Sequence, residues 1–250
     1  MAAYDFTAPR LYRDADLAAG ARLPLDRAGA NYLLTVLRRT EGEPVLVFNG
    51  RDGEWRAEIA ATGRKSADLV LREQTRPQPA PSDLHYLFAP LKAGRLDYLA
   101  QKAVEMGAGR LRPVLTRYAQ AERLKLDRLR ANAVEAAEQC GILSIPPIDE
   151  LARLPAALDA LEPDRLLVFC DEDAAIADPL AALRGAADPA APPPLAVLVG
   201  PEGGFAPEER AAIAARPNTV ALSLGPRILR ADTAAVAVLA LVQAVLGDGR

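Results

Sequence analysis

Three prolines at alternate positions, in Thr75-Arg-Pro-Gln-Pro-Ala-Pro-Ser82, divide this chain into two parts that cannot share a regular element. Proline fixes φ near −65° and removes a backbone donor, so the run continues neither a helix nor a central strand. It predicts a boundary: a small domain over residues 1–76, a linker over 77–83, and a larger domain over 84–250. The two parts carry different patterns. Upstream, Pro44–Phe48 reads as a strand, Asn49–Gly53 as a turn, Glu54–Ala60 as an alternating strand with Trp55, Ala57 and Ile59 on one face, and Ala67–Leu71 as another strand. A helix is predicted over Ala30–Arg38. Short strands round a small core suggest a compact barrel.

Downstream, strands alternate with helices. Leu84–Ala89 is an apolar strand, and Leu96, Leu99, Ala100, Ala103 and Val104 form the stripe of an amphipathic helix, with Gly107 placed to end it. A second helix is predicted over Leu126–Cys140, stopping at Gly141. Leu166–Phe169, Leu195–Val199 and Thr219–Leu224 are near-continuous apolar runs. Such runs between helices predict an α/β fold whose parallel sheet is covered on both faces. Ala186–Pro194 reads as a surface loop.

Charge is unevenly placed. Residues 1–130 hold 22 Lys and Arg against 16 Asp and Glu, while the remainder holds 8 against 17. A polyanion would therefore meet the first half, above all residues 81–130, where 10 basic residues face 5 acidic ones. Cys140, Cys170 and the single His85 have no metal-ligand spacing and offer no histidine-based nucleophilic triad. No metal site is expected, and the cysteine usage suits a reducing cytoplasm. The first 13 residues lack a signal-peptide core. The longest uncharged run, Thr233–Gly247, is too short for a membrane span and reads as a core helix.

Two segments carry chemistry. Leu195-Ala-Val-Leu-Val-Gly-Pro-Glu-Gly-Gly-Phe205 is a strand running into a glycine turn, and Pro207 opens a helix. Without Cβ atoms, Gly200, Gly203 and Gly204 let backbone approach a ligand, and ligands gather beyond the carboxyl ends of strands in open α/β sheets. The turn is neither GxGxxG nor a Walker loop, so it does not support a dinucleotide or nucleoside-triphosphate site. The second segment, Val220–Ala235, is a strand, a loop with Arg227 and Arg230, and a helix start that Asp232 or Thr233 could cap. The arginines are placed either to contact an anionic substrate or to pair with an acidic neighbour such as Glu202.

Gly-Pro-Glu-Gly-Gly-Phe at 200–205 and Leu-Gly-Pro-Arg-Ile-Leu-Arg at 224–230 together resemble the RsmE-type 16S ribosomal RNA uridine N3-methyltransferases of the SPOUT superfamily. Weaker matches fall in order along nearly the whole chain: Val36–Arg38 with Glu41–Glu43, then Lys92, Arg95, Lys102 and Glu105–Gly107, then Glu135–Gln139. The resemblance implies a PUA-like β-barrel that helps bind RNA, followed by a SPOUT-type α/β domain with a trefoil knot. It implies S-adenosyl-L-methionine as cofactor, 16S ribosomal RNA or the small ribosomal subunit as substrate, and a homodimer. The cofactor would be held by Phe169–Glu172, by Val199–Gly204 with Gly200, Glu202 and Gly203, and by Leu222–Leu229. In the last stretch Leu222, Leu224, Ile228 and Leu229 would pack on adenine beside Gly225. Arg230 and Arg227 would orient the target uridine, and Arg38, Lys92, Arg95 and Lys102 would contact RNA. Glu202 and Asp232 both stand open as the base. A transfer-RNA substrate and a non-catalytic RNA-binding protein are the competing readings. The chain departs from the family pattern at Asn31, at Ile142 and Leu143, and at Asp232, where histidine, a basic residue and glutamate are usual.

Overall fold

The computed structural model describes residues 7–63, 66–119, 123–174 and 178–249. The chain falls into two compact units, Met1–Ala80 with Ala137–Ile145, and Pro81–Ala136 with Pro146–Arg250.

In the first unit, strands β1 (Arg10–Tyr12), β2 (Arg22–Pro24), β3 (Pro44–Phe48), β4 (Glu54–Gly63) and β5 (Ser66–Arg76) form one sheet in the order β1-β3-β4-β5-β2. All neighbours are antiparallel except β1 and β3. The alternation expected in β4 is present: Ala57 and Ile59 are buried with Val45, Val47, Leu69 and Leu71, while Arg56 is exposed. Glu54 is buried at the start of β4. Burial opposes its charge, yet hydrogen bonds from Arg76 and the charge of Arg10 hold its carboxyl below the ordinary range.

The helix of this unit differs from expectation. Helix α1 (Arg27–Asn31) starts where the Asp26 carboxylate accepts the Gly29 N–H at 2.7 Å, and it widens into a π-helical turn over Tyr32–Val36. The expected helix over Ala30–Arg38 thus begins three residues early, at Arg27, because the Asp26 cap sets its start. Arg38, with φ of 54°, ends it.

The second unit is built on six parallel strands: β6 (Leu84–Phe88), β7 (Arg110–Leu115), β8 (Ala152–Arg153), β9 (Leu166–Cys170), β10 (Leu195–Val199) and β11 (Thr219–Leu222). Their order is β11-β9-β10-β6-β7-β8. Between them run α2 (Ala93–Glu105), α3 (Leu126–Cys140), α4 (Leu154–Asp159), α5 (Pro179–Ala186) and α6 (Pro207–Ala214), with α7 (Ala231–Val245) following β11. Alternate residues of each strand serve opposite layers. Leu87, Leu167, Phe169, Ala196 and Leu198 pack with Leu154 and Leu158 of α4 and Ile213 of α6. On the other side α7 lies against β10, α2 and α5. Both faces are thus covered, which is why the central strands β9 and β10 are almost wholly apolar.

Strand β7 escaped the reading of the pattern. Arg110 and Arg112 interrupt its apolar run, but both pair with Asp149, at 2.9 and 3.1 Å, so Arg112 stays buried and charged. Helix α7 begins at Ala231 with Arg230 as its N-cap, two and three residues before the expected caps Asp232 and Thr233; Asp232 accepts its neighbour's Thr233 N–H instead.

Candidate functional site

The connection from β9 through α5 steps to β10 on one side, and that from β10 through α6 returns across β9 to β11. Because the three strands are adjacent and parallel, their carboxyl ends emerge together. A cleft of about 210 Å³ opens there. It is lined from β9 by Cys170, Asp171 and Glu172, from β10 by the whole stretch Val199–Phe205, and from β11 by Leu222–Gly225 and Arg227–Leu229. The Asp171 N–H donates to Leu222 O at 2.9 Å, which joins the first and third walls.

Local sequence explains the turn after β10. Phe205 folds back so that a Cβ on Gly200 would stand 2.5 Å from its ring, and only glycine fits there. Gly204 takes φ of +66°, donates to Pro201 O at 2.9 Å, and leaves no room for a Cβ beside Glu172 Oε1. Pro207 opens α6, and the Glu209 carboxylate accepts from the Ala206 and Arg117 N–H groups at 3.0 and 2.8 Å. The turn is therefore preset by the helix behind it.

The expected cofactor residues meet in this cleft with one exception. Glu172, Val199, Gly200, Glu202, Gly203, Gly204, Leu222, Leu224, Gly225, Ile228 and Leu229 all line it, as does Arg227. Phe169 does not. It is 1% exposed and meets Phe205 edge-on, with ring centroids 5.2 Å apart, so it holds the ring that lies on Gly200. Phe205, Ala231 and Ala234 line the cleft and were not foreseen. Ala231 and Ala234 look in sequence like ordinary helix-core residues, and only their place at the start of α7 brings them there. Ile228 is 91% exposed on the cleft wall, an apolar side chain that water leaves available to a flat ligand.

Electrostatics separates the arginines. Among the described residues neither Arg227 nor Arg230 makes an ion pair, and both are exposed. The Glu202 pairing considered for them is absent: Glu202 is bonded to Arg95. Arg95, on α2, also grips Asp232 through Nε at 2.9 Å and Nη2 at 3.0 Å. Those bonds hold the Asp232 carboxyl below the ordinary aspartate range, while the two acids raise the Arg95 guanidinium further. Of the other basic residues, Lys102 is bonded to Glu105 at 2.6–2.7 Å with its ammonium 5.5 Å from the Tyr98 ring, whereas Lys92 and Arg38 are exposed. Desolvation and the charge of Asp171 push the Cys170 thiol up to about 12, so it stays neutral. Among the described residues no group of three or more His, Cys, Asp or Glu is placed to hold a metal, and no helix is long and apolar enough to cross a membrane.

A parallel sheet with helices on both faces and a glycine-walled cleft over neighbouring strand ends, with Arg227 on its wall, define an α/β ligand-binding domain. The model of an RNA methyltransferase domain matches residues 78–243, and that of an RNA methyltransferase PUA domain matches residues 25–72. The chain belongs to the RNA methyltransferase family. Its relatives include the ribosomal RNA small subunit methyltransferase E of Rickettsia conorii, 29% identical over 94% of both chains. The enzyme of that name from Mycobacterium tuberculosis is 30% identical, over 89% of this chain and 86% of its own. Among solved structures, the ribosomal RNA small subunit methyltransferase E of Neisseria gonorrhoeae, bound to S-adenosyl methionine, superposes with a TM-score of 0.85 at 25% identity, over 97% of this chain and 100% of that one. A putative methyltransferase of Legionella pneumophila in complex with the same cofactor gives 0.81 at 26% identity, over 95% and 97%.

Proposed function

We propose that this chain transfers a methyl group from S-adenosyl-L-methionine to N3 of a uridine in 16S ribosomal RNA. The observation that carries the reading is the cleft over β9, β10 and β11, which Arg227 lines. Arg230 is not on its wall but stands in the chain between the lining residues Leu229 and Ala231, and no carboxylate neutralises either arginine among the described residues. The lining fits the cofactor. Leu222, Leu224, Ile228 and Leu229 offer apolar contact for adenine, and Gly203, Gly204 and Gly225 expose main-chain groups for its edge. The Glu172 carboxylate on the cleft wall suits a cationic sulfonium, whereas those of Asp171 and Glu202 are bonded to Arg210 and Arg95. When bound, that cofactor supplies an electrophilic methyl.

The protein's part is positioning and charge. Methylation at N3 requires loss of the N3 proton, which spreads negative charge over the ring. Arg230, with Arg227, would orient the base and stabilise that charge as it develops. Asp232 is a poor proton acceptor for this step, because Arg95 holds it ionised with its lone pairs occupied. Arg38 and Lys92 would draw in the phosphate backbone; Lys102 is committed to Glu105. We assign residues 1–76 to RNA binding and 84–250 to catalysis, joined by 77–83. A homodimer is supported by the outward face of α7, where Ala237, Ala240, Leu241 and Ala244 are apolar and partly or fully exposed. A cytoplasmic location follows from the proposed substrate.

Two measurements test this reading. Calorimetry should show S-adenosylmethionine and its homocysteine product binding and NAD failing to bind. Mass-spectrometric mapping should find one 16S uridine unmethylated in cells lacking the protein and methylated when it is restored. A lost methyl in transfer RNA, with 16S RNA unchanged, would redirect the substrate.

A further inference from the structure

Arg95 stands third in α2, Asp232 second in α7, and Glu202 in the turn after β10. One guanidinium therefore joins three elements that are far apart in sequence. Its Nε and Nη2 are both donated to Asp232, and Nη1 is donated to Glu202. All three side chains are partly buried. This fork geometry fits a guanidinium and not an ammonium, which cannot hold a planar carboxylate through two fixed donors while reaching a second.

The place of the cluster gives it a consequence. Glu202 lines the cleft, and Asp232 follows Arg230 by two residues. Without Arg95, Glu202 and Asp232 would lose the guanidinium they share at the cleft mouth, where a polyanion must approach. The glycine turn and the first turn of α7 would also lose their common tie. We infer that Arg95 is a positioning residue acting from within the protein and not a contact to RNA: it masks Glu202 and Asp232 at the cleft mouth and pins the turn after β10 to the start of α7. This rests on the reading of the chain as an RNA methyltransferase and adds a residue to that site.

Charge and geometry predict separate kinetic signatures. The Michaelis constant for RNA follows charge at the mouth, while kcat follows the tie that aligns turn and helix. Helices α2 and α7 stay joined at their far ends through Gln243, whose Nε2 donates to Met106 O at 3.0 Å, so the variants retain a second anchor.

The experiment is steady-state methylation of 16S RNA by the full-length protein and three variants: Arg95→Gln, Arg95→Lys, and Arg95→Gln combined with Glu202→Gln and Asp232→Asn. Cofactor calorimetry and thermal melting accompany each. Arg95→Gln should raise the KM for RNA about tenfold and lower kcat by about the same factor. The triple variant should recover KM to within about twofold of the unaltered protein while kcat stays low, and Arg95→Lys should likewise keep KM and lose kcat. A KM that stays high after both acids are neutralised would mean that Arg95 touches RNA directly and would overturn the inference. So would an Arg95→Gln protein with unchanged KM and kcat. Failure of the unaltered protein to bind cofactor or methylate RNA is read in the same assays and bears on the function, not on the ratios among variants.

Discussion

Arg95, Arg227 and Arg230 belong to one neighbourhood in the folded domain, yet their chemistry is set by who stands beside them. Arg95 is spent on two carboxylates, whereas Arg227, on the cleft wall, and Arg230, next to the lining residues Leu229 and Ala231, are exposed without an acidic partner among the described residues. A guanidinium already paired adds little field towards a reacting base; a free one in a partly dry site adds much. Replacing Arg230 with alanine should therefore leave cofactor affinity within about threefold and cut turnover by about 10²–10³, the usual range for removing one transition-state donor. Calorimetry with S-adenosylhomocysteine and single-turnover methylation distinguish the two effects. Parallel loss of both would remove Arg230 from the role assigned to it. The family resemblance placed Arg95 with the RNA contacts. Its partners lie 107 and 137 residues away, beyond any local pattern.

At the scale of elements, the turn after β10 shows why glycine is required at particular positions. Gly204 combines a left-handed backbone with a wall at Glu172 Oε1, 2.5 Å from where a Cβ would be. Gly204→Ala should cost about 1–2 kcal/mol from the backbone alone. It should also push Glu172 from its place in the cleft, so cofactor affinity should fall more than global stability does. Urea unfolding and calorimetry on the same protein give both numbers; an alanine variant that binds cofactor normally would show that the turn tolerates the change. Strands β3, β9 and β10, and helices α2 and α3, were legible because apolar spacing alone marks them. Strand β7 was not, since its arginines are tolerated only through Asp149. The start of α1 was signalled by Asp26, a helix-capping residue four positions before the expected start at Ala30.

For the whole molecule, the single histidine couples stability to pH. His85, on β6, is 8% exposed, and burial, together with the charges of Arg165 and Arg112, lowers its pKa from 6.5 to about 4. The unfolded chain therefore binds a proton on this imidazole at a higher pH than the folded chain does. The contribution is fully present above pH 6.5, is lost as pH falls from 6.5 to about 4, and changes no further below that. It amounts to roughly 3 kcal/mol. Carboxylates held below their ordinary range, such as Glu54 and Glu162, add to acid lability, so the comparison must be with a variant. Between pH 7 and 4.5 the unaltered protein should lose more stability in urea than His85→Gln does. Equal losses would show that the imidazole is not held neutral.

What the chain decided by itself is whatever depends on near neighbours along it: the break at the prolines, the alternation of apolar strands and helices, and the two motifs that bring glycines and arginines to strand ends. These signals are local because backbone sterics and apolar periodicity act over a few residues. Only the tertiary structure decided which strand ends lie side by side, that Phe169 works through Phe205, and that Arg95 faces Glu202 and Asp232 and not solvent. Strand order and ion pairing join residues a hundred positions apart, and their energies exist only once burial has brought those residues together.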